Sequence, residues 1–125
     1  MKILAIRGEN LASLTHPFSI DFASGRLGDS GLFAITGNTG SGKSTLLDAM
    51  CLALYDQIAR FPANKKNMAE IGRADDPDRL KANDVRLILS RGAVSGYAEV
   101  DFTGRDGQSY CARWSVRRTG HCRRG

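Results

Sequence analysis

Alternating apolar and polar positions predict two strands near each end of the chain. The first two strands are predicted over residues 2–7 and 18–22, and in the second of these every other side chain is apolar. Two more are predicted over residues 95–102 and 109–116, joined by the Gly-Arg-Asp-Gly turn sequence at 104–107. The pattern therefore predicts an antiparallel sheet with strands from both ends of the chain.

An unbroken apolar run and a helical pattern lie on either side of a polar, glycine-rich segment. Residues 32–36 have the sequence Leu-Phe-Ala-Ile-Thr, which is typical of a short strand buried on both faces in a parallel α/β sheet. After Lys43, apolar side chains recur at helical spacing and predict a helix. These side chains are Leu46, Leu47, Met50, Cys51 and Leu54. A strand, a loop and a helix are thus expected in that order.

The middle of the chain is predicted to be a long surface excursion. Residues 60–84 are polar and mixed in charge, with two prolines and few large apolar side chains, so we expect at most a short helix there. Asp84 is a suitable cap for a brief helix through residues 85–89, and Gly92 is a suitable end for it.

Length and cysteine content narrow the class of protein. The 125 residues have room for one modest core, and no stretch is apolar enough to span a membrane. Arg7 interrupts the first apolar run, so we expect a strand there and not a signal peptide. Cys51, Cys111 and Cys122 lack metal-ligand spacing, and Cys51 lies in the predicted helix, where a reduced, buried thiol is ordinary. A cytoplasmic location is therefore expected.

The excess positive charge is confined to the C-terminal part of the chain. Residues 1–104 contain 12 Lys and Arg against 12 Asp and Glu, whereas residues 105–125 contain six Arg against one Asp. Arginines in this tail could contact nucleic-acid phosphates. They are Arg113, Arg117, Arg118, Arg123 and Arg124. We favour a solvated chain end instead, because no aromatic interleaving follows Trp114.

The segment between the predicted strand and helix matches the phosphate-binding pattern G-x-x-x-x-G-K-[ST]. Its glycines allow a tight turn whose N–H groups point inward and continue into the positive end of the helix, which suits a triphosphate. Lys43 is expected to contact the β- and γ-phosphates, and the Ser44 hydroxyl to coordinate Mg²⁺. The candidate nucleotide-binding residues are Gly37, Asn38, Thr39, Gly40, Ser41, Gly42, Lys43, Ser44 and Thr45. A glycine turn that merely links strand and helix is the alternative, and the flanking patterns disfavour it.

Several longer strings around the glycine loop give the chain a resemblance to a known family. They are narrower than the loop pattern, which many NTPases share. They comprise residues 1–4, 10–14, 31–37, 45–55, 91–92, 98–102 and 110–116. On these residues the chain resembles, nearly end to end, the N-terminal part of the SbcC family, the ATPase subunits of SbcCD nucleases and relatives of the SMC proteins.

The resemblance implies an α/β fold, namely a P-loop NTPase lobe of the ABC-ATPase type with an added antiparallel β-sheet, incomplete without a C-terminal lobe. Residues 1–125 would be the N-terminal part of a P-loop AAA/ABC-type ATPase head domain, truncated at its end. Hydrolysis in that family also needs a glutamine loop and an Asp and a Glu on a later strand. We therefore expect no complete catalytic set in this chain.

The resemblance also implies cofactors and partners. ATP and Mg²⁺ would be held between two heads, so a second head in a homodimer is expected beside the C-terminal lobe of the same protein. An SbcD-like nuclease subunit and double-stranded DNA are the further partners, and no membrane is expected. The implied function is ATP-driven DNA end processing and double-strand-break repair.

Two other functions stay open at the level of sequence. A P-loop small-molecule kinase would need a lid with arginines after the helix, for which Arg60, Arg73 and Arg79 are available. A basic nucleic-acid-binding module would use the tail arginines and keep the glycine loop as a purely structural turn.

Overall fold

Two strands from each end of the chain and one long helix form the main part of the structure. A computed structural model describes residues 1–58, 70–71, 80–81 and 85–118. In chain order the elements are β1 (Lys2–Glu9), β2 (Phe18–Asp21), α1 (Gly25–Gly28), α2 (Lys43–Tyr55), β3 (Glu70–Ile71), β4 (Leu80–Lys81), a 3₁₀ helix (Val85–Ile88), β5 (Ser95–Thr103) and β6 (Ser109–Arg117).

The four longer strands form one antiparallel sheet with the order β2-β1-β5-β6. In its register, Ile6 of β1 lies between Ile20 of β2 and Val100 of β5, while Ala98 pairs with Trp114 of β6. Because side chains alternate along each strand, this register places the apolar sets on one face. The antiparallel sheet expected from the alternating pattern is confirmed.

The inner face of this sheet packs against α2 and forms the core. The buried apolar residues are Ile6, Leu11, Phe22, Ala49, Leu52, Ile58, Ile88, Leu89, Ala98, Val100 and Trp114. Burying a side chain of Val or Leu size contributes about 1.5–3 kcal/mol each, so this set holds the helix and sheet together.

Helix α2 confirms the helical pattern seen after Lys43. It ends at Asp56, which adopts a left-handed conformation with φ of 55° and whose amide donates to the Leu52 carbonyl at 3.0 Å. Cys51 is half-buried on this helix, where the sequence suggested a buried thiol. None of the helices in the described ranges has the length and apolar character to cross a membrane.

Residues 32–36 do not form the strand that their apolar character predicts. The segment carries no strand pairing among the described residues, and Leu32 is 87% exposed. A strand needs hydrogen bonds to a neighbouring strand, and the apolar pattern reports a tendency to be buried without supplying that neighbour. The prediction of a strand here was therefore wrong for this chain.

The polar excursion contains strands and not a helix where it is described. Glu70–Ile71 pairs antiparallel with Leu80–Lys81, and the remainder of residues 60–84 lies outside the described residues. The brief helix expected after Asp84 is present as the 3₁₀ helix. The polar link between β2 and the glycine loop contains the single-turn helix α1.

The outer face of the sheet carries an ionic network that joins three strands. Arg7 of β1 donates from Nε to Glu99 Oε1 at 2.7 Å and in a bidentate manner to Asp101 at 2.7 and 2.8 Å. Arg113 of β6 donates to Glu99 at 2.8 Å and lies over the Tyr97 ring, 4.3 Å from its centroid. Hydrogen bonds from Arg7 lower the pKa of both carboxyl groups, and those from Arg113 add to the effect at Glu99.

Replacing Arg7 by alanine is expected to lower the free energy of unfolding by about 1 kcal/mol at pH 7, since solvent screens this partly exposed network. The pKa values of Glu99 and Asp101 are depressed in the folded state. The contribution is therefore fully present above their unfolded values of about 4 and is lost as the pH falls through the lower folded values. Urea unfolding at pH 7 and pH 3 measures the difference.

The matched control for this prediction is Arg105→Ala, which removes an exposed arginine from the turn between β5 and β6. It should change the free energy of unfolding little at either pH. A difference between wild type and Arg7→Ala that is equally large at pH 3 and pH 7 would contradict the assigned role of the network.

Candidate functional site

The glycine-rich segment folds into a tight loop that leads directly into α2. Gly40 and Gly42 have φ angles of +83° and +99°, which residues with a Cβ rarely adopt, and Gly42 is the N-cap of the helix. The Ser41 amide donates to the Asn38 carbonyl at 3.1 Å, and the Leu46 amide donates to the Gly42 carbonyl at 3.2 Å. The two glycines allow the chain to turn and enter the helix.

The N-terminal end of α2 is suited to an anion. The first N–H groups of a helix have no partner within the helix, and the helix dipole makes this end positive. Within the described residues 42–55, no side chain caps the helix and none in its first turn is acidic. Phosphate groups are typical ligands of such a helix end.

Lys43 is the first residue of α2, and its side chain folds back over the loop. Its Nζ donates to the main-chain carbonyl oxygens of Gly37 and Asn38, the second at 3.0 Å. These acceptors are neutral, so the full positive charge of the ammonium group is available to an anion that approaches the loop.

A cavity of about 470 Å³, here called the loop cleft, lies between the glycine loop and the turn that follows β1. The turn contributes Ala12 and Ser13. The loop and α2 contribute Thr39, Gly40, Gly42, Lys43, Ser44 and Thr45. Hydroxyl, main-chain amide and ammonium donors therefore line one cavity.

The other three predicted site residues lie beside the loop cleft. Gly37 and Ser41 line a neighbouring pocket of about 290 Å³, together with Leu14 and Phe18. Asn38 takes part through its carbonyl oxygen, which accepts the hydrogen bonds from Ser41 and Lys43. The structure thus gathers six of the nine predicted residues in the loop cleft and places the others next to it.

The turn at residues 11–14 is the part of the site that the sequence motif did not identify. Leu11 and Leu14 exchange main-chain hydrogen bonds of 3.0 and 2.8 Å, with Ala12 and Ser13 between them. Leu14 also approaches the glycine loop, because a Cβ at Gly42 would lie 2.8 Å from Leu14 Cδ2. The one signal in the sequence was that residues 10–14 belong to the family-like strings.

A second cavity of about 530 Å³, here called the apolar pocket, adjoins the start of α2. It is lined by Ile3, Ile6, Phe22, Phe33, Ile35, Lys43, Ser44, Leu47 and Met50. Phe33 stacks on Phe22 with ring centroids 4.5 Å apart, and Leu47 is 57% exposed. Met50 and Leu54, which we expected to contribute apolar surface, are half-buried.

The basic tail is only partly described. Arg117 and Arg118 are exposed, whereas Arg113 is engaged with Glu99 and Tyr97. The other tail residues considered above, Cys122, Arg123 and Arg124, lie outside the described residues. So do Arg60, Arg73 and Arg79, on which a kinase lid would depend.

Comparison with known proteins decides the family. The AAA domain family matches residues 5–122. The chain belongs to the AAA domain family. This AAA domain chain is similar to the SbcC subunit of the nuclease SbcCD from Rhodobacter capsulatus, with 52% identity over 118 residues. It is similar to the protein of the same name from Pseudomonas aeruginosa, with 53% identity over 119 residues, and from Bacillus subtilis, with 45% identity over 64 residues.

The AAA domain chain corresponds to a small part of these relatives. The first two matches cover 94% and 95% of the chain but 9% and 10% of the relatives' own length. The third covers 51% of the chain and 6% of the relative. The chain therefore spans about a tenth of the length of the relatives that it matches most fully. The resemblance to SbcC-type proteins is confirmed.

Replacing Gly42 by alanine is expected to lower the free energy of unfolding by about 2 kcal/mol, against about 1 kcal/mol for Gly40→Ala. Both positions have positive φ, but the new Cβ would meet Leu14 Cδ2 at 2.8 Å only at Gly42, whereas at Gly40 no such atom lies within 4 Å. Urea unfolding of the two variants measures the difference.

The Leu14→Ala background tests the cause of this difference. Without the leucine side chain, Gly42→Ala should cost about as much as Gly40→Ala, because only the backbone strain is left. An unchanged cost of Gly42→Ala in that background would show that the approach of Leu14 is not responsible.

Proposed function

We propose that the chain binds ATP through its glycine loop. The observation that carries the proposal is the loop cleft, where Lys43 and the N-terminal end of α2 lie beside serine and threonine hydroxyl groups. A polyphosphate needs positive charge and N–H donors around it, and both are supplied there. The fit is supported at Gly40, where no neighbouring atom lies within 4 Å of the Cβ position, so a ligand can approach the main chain.

Each residue of the loop then has a role in binding. Lys43 exchanges its carbonyl acceptors for oxygens of the β- and γ-phosphates, and the exposed Ser44 is the residue for Mg²⁺. Main-chain and hydroxyl donors around the phosphates come from Gly37, Asn38, Thr39, Gly40, Ser41, Gly42 and Thr45. When bound, Mg·ATP supplies the phosphoryl group for transfer to water, with the metal offsetting phosphate charge.

We assign residues 1–125 to the N-terminal part of a P-loop head domain of the ABC type, whose C-terminal lobe belongs to the same full-length protein. The chain spans about a tenth of its nearly full-chain matches, which leaves ample sequence for that lobe. Residues 32–36 support the assignment, because an apolar run with Leu32 at 87% exposure suits a strand whose neighbour lies in another segment.

The C-terminal lobe would cover the apolar pocket. Phe33 and Ile35 are each 40% exposed and Leu47 is 57% exposed around it, which is costly for a surface in water. A lobe that supplies strands beside residues 32–36 would bury these side chains. The same contact would fix Lys43 and Ser44, since both line the apolar pocket as well as the loop cleft.

The larger assembly is proposed from the relatives, whose name makes them part of the nuclease SbcCD. The full-length protein would be the ATPase subunit of a DNA exonuclease complex, with an SbcD-like nuclease subunit as partner and double-stranded DNA as substrate. A second head in a homodimer would complete each nucleotide site. The complex would act in DNA end processing and double-strand-break repair in the cytoplasm.

Lys43→Ala is expected to weaken Mg·ATP binding by roughly ten- to hundredfold, because it removes the formal positive charge of the loop and leaves the backbone intact. Ser44→Ala should act through the metal, so its defect should grow as Mg²⁺ becomes limiting. Isothermal titration with ATP at several Mg²⁺ concentrations measures both effects.

Lys2→Ala is the matched control for Lys43→Ala, since Lys2 is an exposed lysine on β1. It should leave the affinity for Mg·ATP unchanged. If Lys43→Ala binds Mg·ATP as tightly as the wild-type chain, the loop is not a triphosphate site.

The 125-residue chain is expected to hydrolyse ATP at a negligible rate, because the proposed function assigns the water-positioning groups to the second lobe and the second head. Release of inorganic phosphate from Mg·ATP measures the rate, with Lys43→Ala as the blank for contaminating activity. Robust turnover by the chain alone that is lost in Lys43→Ala would refute the division of the active site.

A further inference from the structure

Ser90 joins the segment after the 3₁₀ helix to the turn beside the loop cleft. Its side chain is buried, with 2% of the residue exposed, and its Oγ donates to the Ala12 carbonyl at 2.7 Å. Its amide donates to the Asn10 carbonyl at 2.9 Å, and the Ala12 amide donates to the Ile88 carbonyl at 2.6 Å. Three hydrogen bonds therefore tie residues 88–90 to residues 10–12, across a sequence separation of 78 positions between Ser90 and Ala12.

These bonds hold a backbone that would otherwise relax. Asn10 and Ala12 have positive φ angles of 56° and 47°, in the left-handed region that L-residues other than Asn and Asp seldom adopt. Such a conformation persists only where the surroundings enforce it. Here Leu11 is fully buried and forms a bridge to Leu89, while Ser90 holds the main chain on either side of it.

The turn held in this way forms part of the loop cleft. Ala12 and the exposed Ser13 line it together with Ser44 and Thr45, and Leu14 approaches Gly42. A change at Ala12 therefore moves the Ser13 hydroxyl relative to Lys43 and also alters the packing of the glycine loop.

We propose that Ser90 is a positioning residue for nucleotide binding, and that it places Ser13 to contact a nucleoside triphosphate in the loop cleft. The inference rests on the proposed function. Ser90 acts through the Ala12 carbonyl, and Ser13 is the residue that touches the ligand. The nucleotide site thus includes a second polar segment outside the glycine motif, fixed from a distant part of the chain by one buried hydroxyl group.

The first test replaces Ser90 in the 125-residue chain and measures Mg·ATP affinity by titration and the melting temperature without nucleotide. Ser90→Ala removes the donor, and Ser90→Cys keeps a similar side chain with a weak donor. We expect Ser90→Ala to weaken binding by roughly three- to tenfold, with Ser90→Cys in between. Ser115→Ala, at an exposed serine on β6, is the control and should bind as the wild type does.

Ser13 provides a test that does not depend on how Ser90 variants fold, because its side chain is exposed. Ser13→Ala should leave the melting temperature unchanged and weaken Mg·ATP binding by roughly two- to fivefold. If Ser90 acts through the turn, Ser90→Ala should lose less affinity in the Ser13→Ala background than in the wild type. A purely structural serine would lower the melting temperature without this coupling.

The outcomes separate the inference from the proposed function. Wild-type binding that is lost in Lys43→Ala but unchanged in Ser13→Ala would overturn the role of the turn and leave the glycine loop as the ATP site. Additive losses for Ser90→Ala and Ser13→Ala would overturn the role of Ser90. Absence of Mg·ATP binding by the folded wild-type chain would overturn both.

Discussion

The packing of α2 against the inner face of the sheet is the contact on which the candidate site depends. Ala49 and Leu52 of the helix are buried in the same core as Ile6, Ala98 and Val100 of β1 and β5. Because the glycine loop leads straight into this helix, the loop inherits its position from the core. A chain that failed to bury this helix face would have the phosphate-binding motif in its sequence without a cavity to present it.

The two sides of the loop cleft come from separate parts of the sequence and are fixed by different forces. Apolar burial fixes α2, whereas the turn at residues 11–14 is fixed by directed hydrogen bonds from residues 88–90. Hydrogen bonds suit the second task, because they define the orientation of a short, left-handed segment that apolar packing alone would leave free. The cleft is thus a meeting point of local geometry at Gly42 and long-range contacts at Ala12.

Sequence patterns predicted those elements whose periodicity matches a single buried face. The four strands of the sheet and α2 follow this rule, and the nine residues of the loop motif are found together beside the helix. The strand over residues 32–36 was not formed, because apolar character specifies burial and not a hydrogen-bonding neighbour. The role of the 11–14 turn was not visible either, since Ala12 contributes through its main-chain carbonyl, which is common to all residue types.

The strand order has a consequence for how the chain folds as it is synthesised. β1 pairs with β5, and the hydrogen bond between Arg7 and Asp101 spans 94 positions, so the central pairing of the sheet closes a very long stretch of chain. Loop closure of this length raises contact order and slows folding. The β5–β6 hairpin can form by itself through its short turn, but β1 must wait until β5 has left the ribosome. We expect the nascent N-terminal segment, with its apolar face uncovered, to depend on chaperones during this interval.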